Sequence, residues 1–251
     1  MNLLITFEAK NGKVLPLNYQ FAISNWLKDA VNQFLANQTE NNGTSGCFTF
    51  SNILRESTLM KATPSNINLM TRQLSIQASF YDQHIDFETI KSSLAPNEIH
   101  LSETATTLSL RKISPLPEFS VSDRTCLIGL SPIIITQSER KKKGKLLRYI
   151  SPDHPDYAQL FFKSLIRRYA QNELENGRRF YYNAKTISSM ALTVLEKTPK
   201  KKSIQAEQLG GKISGYQFQF EIEAPSKLIR FGLKAGFGEF NEFGFGCCRV
   251  A

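Results

Sequence analysis

The chain has 251 residues, a net charge of +9, 41% hydrophobic residues and 21% charged ones. That length fits one large domain or two of ordinary size, and the balance is that of a folded globular protein rather than a disordered one. No apolar run reaches the ~18 residues of a membrane-spanning helix, and residues 1–10 have neither the basic flank nor the long apolar core of a signal peptide.

Residues 2–9 read as a first strand. Asn18 or Ser24 opens a helix through about Leu35, with Phe21, Trp26, Leu27, Ala30, Val31, Phe34 and Leu35 on a broad apolar face at helical spacing. Residues 38–46 are polar and turn-rich, so a loop is expected there. Strands are predicted over 47–54 and 73–80, a short helix over 87–94, and further strands over 99–101 and 106–112. Residues 114–124 carry Pro115 and Pro117 and read as a linker.

The pattern then begins again. A strand is predicted over 126–136, ending in Ile133, Ile134 and Ile135. A basic loop and a helix over about 155–172 follow, then strands over 180–182, 188–196, 202–207 and 215–223. A helix over 226–234 and a last strand over 245–250 complete the chain. Each half reads as β-α-β-β-α-β, so the expected fold is α+β, two tandem ferredoxin-like (RRM-like, βαββαβ) domains over residues 1–120 and 121–251.

Charge and cysteines narrow the setting. Arg140, Lys141, Lys142, Lys143, Lys145 and Arg148 form one basic cluster. Arg167, Arg168, Arg178 and Arg179 form a second, and Lys197, Lys200, Lys201 and Lys202 a third. All lie beyond residue 138, and such one-sided charge is the footprint of a polyanion, with nucleic acid the better reading than a set of solvated loops. The spacing of Cys47, Cys126, Cys247 and Cys248 fits neither a zinc site nor a disulfide framework. A reducing, cytoplasmic compartment is expected, with no metal or cofactor.

The last twenty residues hold five of the fourteen glycines: Gly232, Gly236, Gly238, Gly244 and Gly246. Such a loop is either a glycine-rich connection between a helix and a strand or a cradle whose amides bind phosphate.

Context brings in a family resemblance. Leu15-Pro16-Leu17-Asn18-Tyr19 before a helix, Phe48-Thr49-Phe50-Ser51, Ser131-Pro132-Ile133 and the run from Gly236 to Gly246 resemble Cas6, the endoribonuclease that cuts CRISPR precursor transcripts. The resemblance covers nearly the whole chain, and the glycine loop is its most specific element. A basic residue often stands in the family where this chain has Phe240, a departure that removes one phosphate contact. The resemblance implies metal-independent cleavage, in which a ribose 2′-hydroxyl attacks the adjacent phosphate and leaves a 2′,3′-cyclic phosphate and a 5′-hydroxyl. The implied partners are CRISPR repeat RNA or crRNA and other Cas effector subunits, without a membrane, for a monomer or homodimer.

The family often closes its first helix with a catalytic histidine. Here Ala36 occupies that position. Two readings stand: a natural member that cuts slowly with other groups or only binds RNA, and a histidine-to-alanine replacement that keeps RNA uncut. Lys28 and Tyr19 are the other catalytic candidates, although Lys28 stands about 80° and ~12 Å from position 36 on an ideal helix. His84, His100 and His154 lie elsewhere in the sequence, and structural or solvent-exposed roles are expected for them. RNA contacts are expected from Gly236, Gly238, Asn241, Gly244 and Gly246, and from Arg140, Lys141, Lys142, Lys143, Lys145, Arg167 and Arg168. The alternative of a different class is a non-catalytic subunit that holds the crRNA repeat end in an effector complex. A third reading is a basic double-ferredoxin RNA binder outside CRISPR systems.

Overall fold

The computed structural model describes residues 1–36, 47–54, 60–63, 66–81, 86–94, 98–141, 144–180, 182–206 and 211–251. The expected loop over 38–46 and His84 lie outside them. The chain divides into two compact units, Met1–Glu118 with Glu242–Gly244, and Phe119–Asn241 with Phe245–Ala251.

The first unit contains β1 (Asn2–Lys10), β2 (Val14–Pro16), α1 (Gln20–Ala36), β3 (Cys47–Phe50), β4 (Met60–Ala62), β5 (Asn66–Leu69), β6 (Gln73–Tyr81), α2 (Phe87–Leu94), β7 (Glu98–Leu101) and β8 (Thr106–Pro115). Its main sheet runs β3-β6-β1-β8-β7, and a small sheet runs β2-β5-β4. All main-sheet neighbours are antiparallel, with Ile5 opposite Ile76 and Phe48 opposite Phe80. Set aside β7, and the order of β1, β3, β6 and β8 is that of a ferredoxin-like β-α-β-β-α-β unit.

Alternation fixes the register. Leu3, Ile5, Phe7 and Ala9 of β1, and Leu74, Ile76, Ala78 and Phe80 of β6, are buried in the core; Thr6 and Ser75 hydrogen-bond across the other face at 3.0 Å. α1 contributes Tyr19 at its entrance, then Ile23, Trp26, Leu27, Ala30 and Val31, a helical stripe packed into the same core. Trp26 meets Phe7 edge-on at 5.3 Å.

The second unit repeats the plan. Its elements are β9 (Arg124–Gly129), β10 (Thr136–Lys141), β11 (Gly144–Tyr149), α3 (Tyr157–Glu175), α4 (Ala184–Ser188), β12 (Ala191–Val194), β13 (Lys200–Ala206), β14 (Gly211–Gln217), β15 (Gln219–Glu223), α5 (Ser226–Ala235) and β16 (Cys248–Val250). The four-stranded sheet runs β12-β15-β9-β16, which is the first unit's order again. Two hairpins, β10-β11 and β13-β14, are inserted into this frame. The fold is thus α+β with tandem ferredoxin-like units, as the sequence pattern predicts.

Several boundaries differ from expectation. The strand predicted over 126–136 stops at Gly129, because the amides of Leu130 and Ser131 both donate to the Cys247 carbonyl and Pro132 has no N–H. Ile133 and Ile134 then form only isolated bridges, to Tyr216 and Gly238. The strand predicted over 215–223 is two strands, since the chain leaves the β13 ladder at Gln217 and joins β9 at Gln219. Phe180 and Tyr182, predicted in a strand, lie in the connection between α3 and β12; α4 was not foreseen and is capped by Asn183, whose side chain accepts from the Thr186 amide at 2.8 Å.

Candidate functional site

The glycine loop is built from inside. α5 ends at Ala235, and Gly236 follows at φ +86°. Gly238, Gly244 and Gly246 are also left-handed, as is Phe240 at φ +59°. All four glycines are buried. A Cβ on Gly246 would stand 1.9 Å from the Phe237 carbonyl oxygen, and one on Gly238 would stand 2.4 Å from that of Ile134. Glycine is required here by close backbone approach as well as by φ.

Side chains then lock the loop. Asn241 is buried, and its Nδ2 donates to the carbonyls of Phe237 and Phe245, both at 3.0 Å. Arg168 of α3 donates to the carbonyls of Ala235 (2.5 Å), Gly236 (2.7 Å) and Gly238 (3.3 Å). A cation here satisfies carbonyls at the end of α5 and complements the helix dipole. The amides of Phe237, Glu239 and Gly246 are already used, donating to Gly246, Ile134 and Pro132. Asn241 and Arg168, expected as RNA contacts, therefore hold the loop itself. Arg167 is exposed and stands 3.8 Å from Glu239, whose other carboxylate oxygen accepts from the Thr136 hydroxyl at 2.6 Å.

Glu242, Phe243 and Gly244, the loop's tip, pack on α1 within the first unit. Ser24 Oγ donates to the Glu242 carbonyl at 2.6 Å. Phe243 lies 5.7 Å from the Phe21 ring, and Lys28 Nζ sits 3.9 Å above the Phe243 ring centre. The same ammonium is 3.3 Å from the Glu242 carboxylate. A Cβ on Gly244 would stand 2.5 Å from the Phe50 ring, so position 244 is fitted by glycine. Lys28, a catalytic candidate, is a clamp on this tip: cation–π and ion-pair contacts fix its ammonium.

Tyr19 is buried, and its hydroxyl accepts from the Ile53 amide at 3.1 Å. Burial pushes its phenol up to about 12, against a smaller opposing pull from that hydrogen bond. The hydroxyl thus pins the chain after β3 and is turned away from solvent, unlike Lys28. Ala36 is the last residue of α1. His100 on β7 has Nδ1 3.1 Å from Thr107 Oγ1, and His154 Nδ1 accepts from the Asp156 amide at 3.2 Å.

The remaining expected contacts lie on hairpins. Arg140 pairs with Lys145 and Lys141 with Gly144 in the β10-β11 ladder, while Lys142 and Lys143 lie outside the described residues. Lys200, Lys201 and Lys202 are exposed on β13. The contributions of Glu239, Glu242 and Phe243 were missed in sequence, because their partners come from distant elements. Among the described residues, no group of three or more His, Cys, Asp or Glu side chains is arranged to hold a metal ion, and no helix is long and apolar enough to cross a membrane.

A doubled ferredoxin-like fold, whose last helix leads through a buried glycine loop into the final strand, defines a class of tandem RRM-like proteins. Residues 115–250 match the family described as CRISPR associated protein Cas6, C-terminal, and the chain belongs to the Cas6 family. CRISPR-associated endoribonuclease Cas6 1 of Methanocaldococcus jannaschii is 22% identical over 98% of this chain and 91% of its own length. Among solved structures, a Cas6-related protein from Pyrococcus furiosus matches with a TM-score of 0.83 at 17% identity, over 100% of this chain and 98% of that one. A RAMP protein described as binding different RNA substrates matches at 0.81 and 20% identity, over 100% and 99%.

Proposed function

We propose that this chain binds CRISPR repeat RNA and cuts precursor transcripts within the repeats to give crRNA. The ribose 2′-hydroxyl attacks the adjacent phosphorus as its proton leaves, and the bond to the 5′-oxygen breaks as that oxygen takes up a proton. The products are a 2′,3′-cyclic phosphate and a 5′-hydroxyl, and the step uses no metal. The protein's part is alignment, proton transfer and stabilisation of the charged phosphorane.

One observation carries this reading. The tip of the glycine loop, the segment on which the family resemblance chiefly rests, is clamped by Lys28, Phe21 and Ser24 onto the helix that ends at position 36. The loop thus braces the helix that in the family carries the proton-transfer group, while the exposed Arg167 and the lysines of β13 supply cations for phosphates. Incubating the protein with repeat RNA in EDTA tests it. A 2′,3′-cyclic phosphate at one position within the repeat is the expected product; RNA recovered intact, or cut only after metal is added, overturns it.

A second reading has its own support. Ala36 offers no ionisable group, and the rings of His100 and His154 are engaged by Thr107 and by the Asp156 amide. A non-catalytic subunit holding the crRNA repeat end fits these facts. Tight, salt-sensitive binding without any cleavage is its signature in the same assay.

A further inference from the structure

The connection from α3 to β12 carries a feature that cleavage does not use. Four aromatic rings run outward from the core of the second unit. Buried Phe231 meets Tyr169 at 5.2 Å, Tyr169 meets Phe180 at 4.6 Å and 70°, and Phe180 meets Tyr182 at 4.3 Å and 83°. The inner two are buried; Phe180 and Tyr182 are half-exposed. Partial burial, then the neighbouring Tyr169, pushes the Tyr182 phenol up to about 12. Arg178 and Arg179 immediately precede this pair in sequence, Lys185 follows it, and all three are exposed. The Arg178 guanidinium stands 4.0 Å from the Glu173 carboxylate and its side chain is 56% exposed. α4, capped by Asn183, follows directly after Tyr182 in the chain.

Half-exposed rings held edge-to-face by buried ones, and flanked by cations, are what an unpaired nucleic-acid strand needs: a fixed π-surface for a base and positive charge for its phosphates. We propose that Phe180 and Tyr182, with Arg178 and Arg179, form a stacking surface for a single-stranded stretch of the bound RNA. It rests on the RNA-binding reading above and adds a place where unpaired RNA is gripped.

The test uses the full chain and an unstructured RNA of about ten nucleotides carrying 2-aminopurine, within the length range of single-strand sites. Stacking quenches the fluorophore. Tyr182→Leu is expected to abolish the quench and weaken binding about 5- to 150-fold, the range for losing a base–aromatic stack, whereas Tyr182→Phe keeps both. The double variant Arg178→Gln/Arg179→Gln changes only exposed side chains. It should lower the slope of log affinity against log salt by about 1.4, two single-strand phosphate contacts. If Tyr182→Leu fails to fold, the arginine pair decides alone. Wild-type quench and affinity in Tyr182→Leu, or an unchanged salt slope in the arginine pair, overturns the inference while leaving RNA binding intact. A wild-type chain that binds no RNA overturns both.

Discussion

Asn241→Leu separates the two roles open to the glycine loop. The side chain is buried and makes two hydrogen bonds, to the carbonyls of Phe237 and Phe245. Leucine has a similar volume but no donor, so both carbonyls lose this hydrogen bond. Losing a bond to a buried acceptor costs up to about 1–3 kcal/mol, hence up to about 2–6 kcal/mol together. Packing adds to this, because Asn241 Nδ2 already lies 2.4 and 2.5 Å from where a Cβ would stand on Gly236 and Gly246. In urea denaturation followed by circular dichroism, a slope of about 2 kcal/mol/M turns that range into a midpoint lowered by roughly 1–3 M. Amide exchange of Phe237 and Gly246 should accelerate in the native state, since those amides close the loop's own hydrogen bonds. An unchanged midpoint with unchanged exchange, and a loss confined to RNA affinity, would refute the structural assignment and return Asn241 to the RNA surface.

Other outcomes follow from the same geometry. Gly246→Ala drives a Cβ into the Phe237 carbonyl at φ +70°, whereas Gly177→Ala at φ +71° meets nothing within 4 Å. Thermal melts should show a drop above ~10 °C or no folded protein for the first, and only about 2–4 °C for the second, the effect of roughly 1 kcal/mol in a protein of this size. Replacing Lys200, Lys201 and Lys202 together with glutamine should lower the salt slope of RNA binding by up to about 2, with the melt unchanged; an unchanged slope removes β13 from the interface. Burial pushes the thiols of Cys247 and Cys248 up, and in the folded protein iodoacetamide at pH 8 should label half-exposed Cys47 and Cys126 but spare that pair until urea is added. Mass spectrometry reads this directly, and early labelling of Cys247 contradicts its placement.

The periodic parts of the molecule were legible because periodicity reports burial. α2 falls on the predicted residues and α1 and α5 within a few of theirs, since Ile23, Trp26, Leu27 and Val31, or Leu228, Ile229, Phe231 and Leu233, mark one buried face each. β2, β4 and β5 have no sequence signal because three- and four-residue strands show too little alternation. The loop's wiring was illegible for a different reason. Arg168 meets Ala235 67 positions away, and Ser24 meets Glu242 218 positions away, so no local pattern marks either pair. The sequence neighbours of Arg168 suggest a surface cation, although a guanidinium is as well suited to gathering carbonyls as phosphates. For Tyr19 the sequence shows a place at a helix entrance, and only the fold brings the Ile53 amide to its hydroxyl.

The most direct test is single-turnover cleavage of repeat RNA in EDTA by the chain as it stands and by Ala36→His. A positioned general acid or base typically contributes ~10²–10⁴-fold. If α1, braced by the glycine-loop tip, carries the proton-transfer position at its end, the imidazole raises the rate at least about tenfold at the same phosphodiester, and the products keep their cyclic phosphate. An Ala36→His protein that binds RNA as tightly as before but cuts no faster contradicts that assignment.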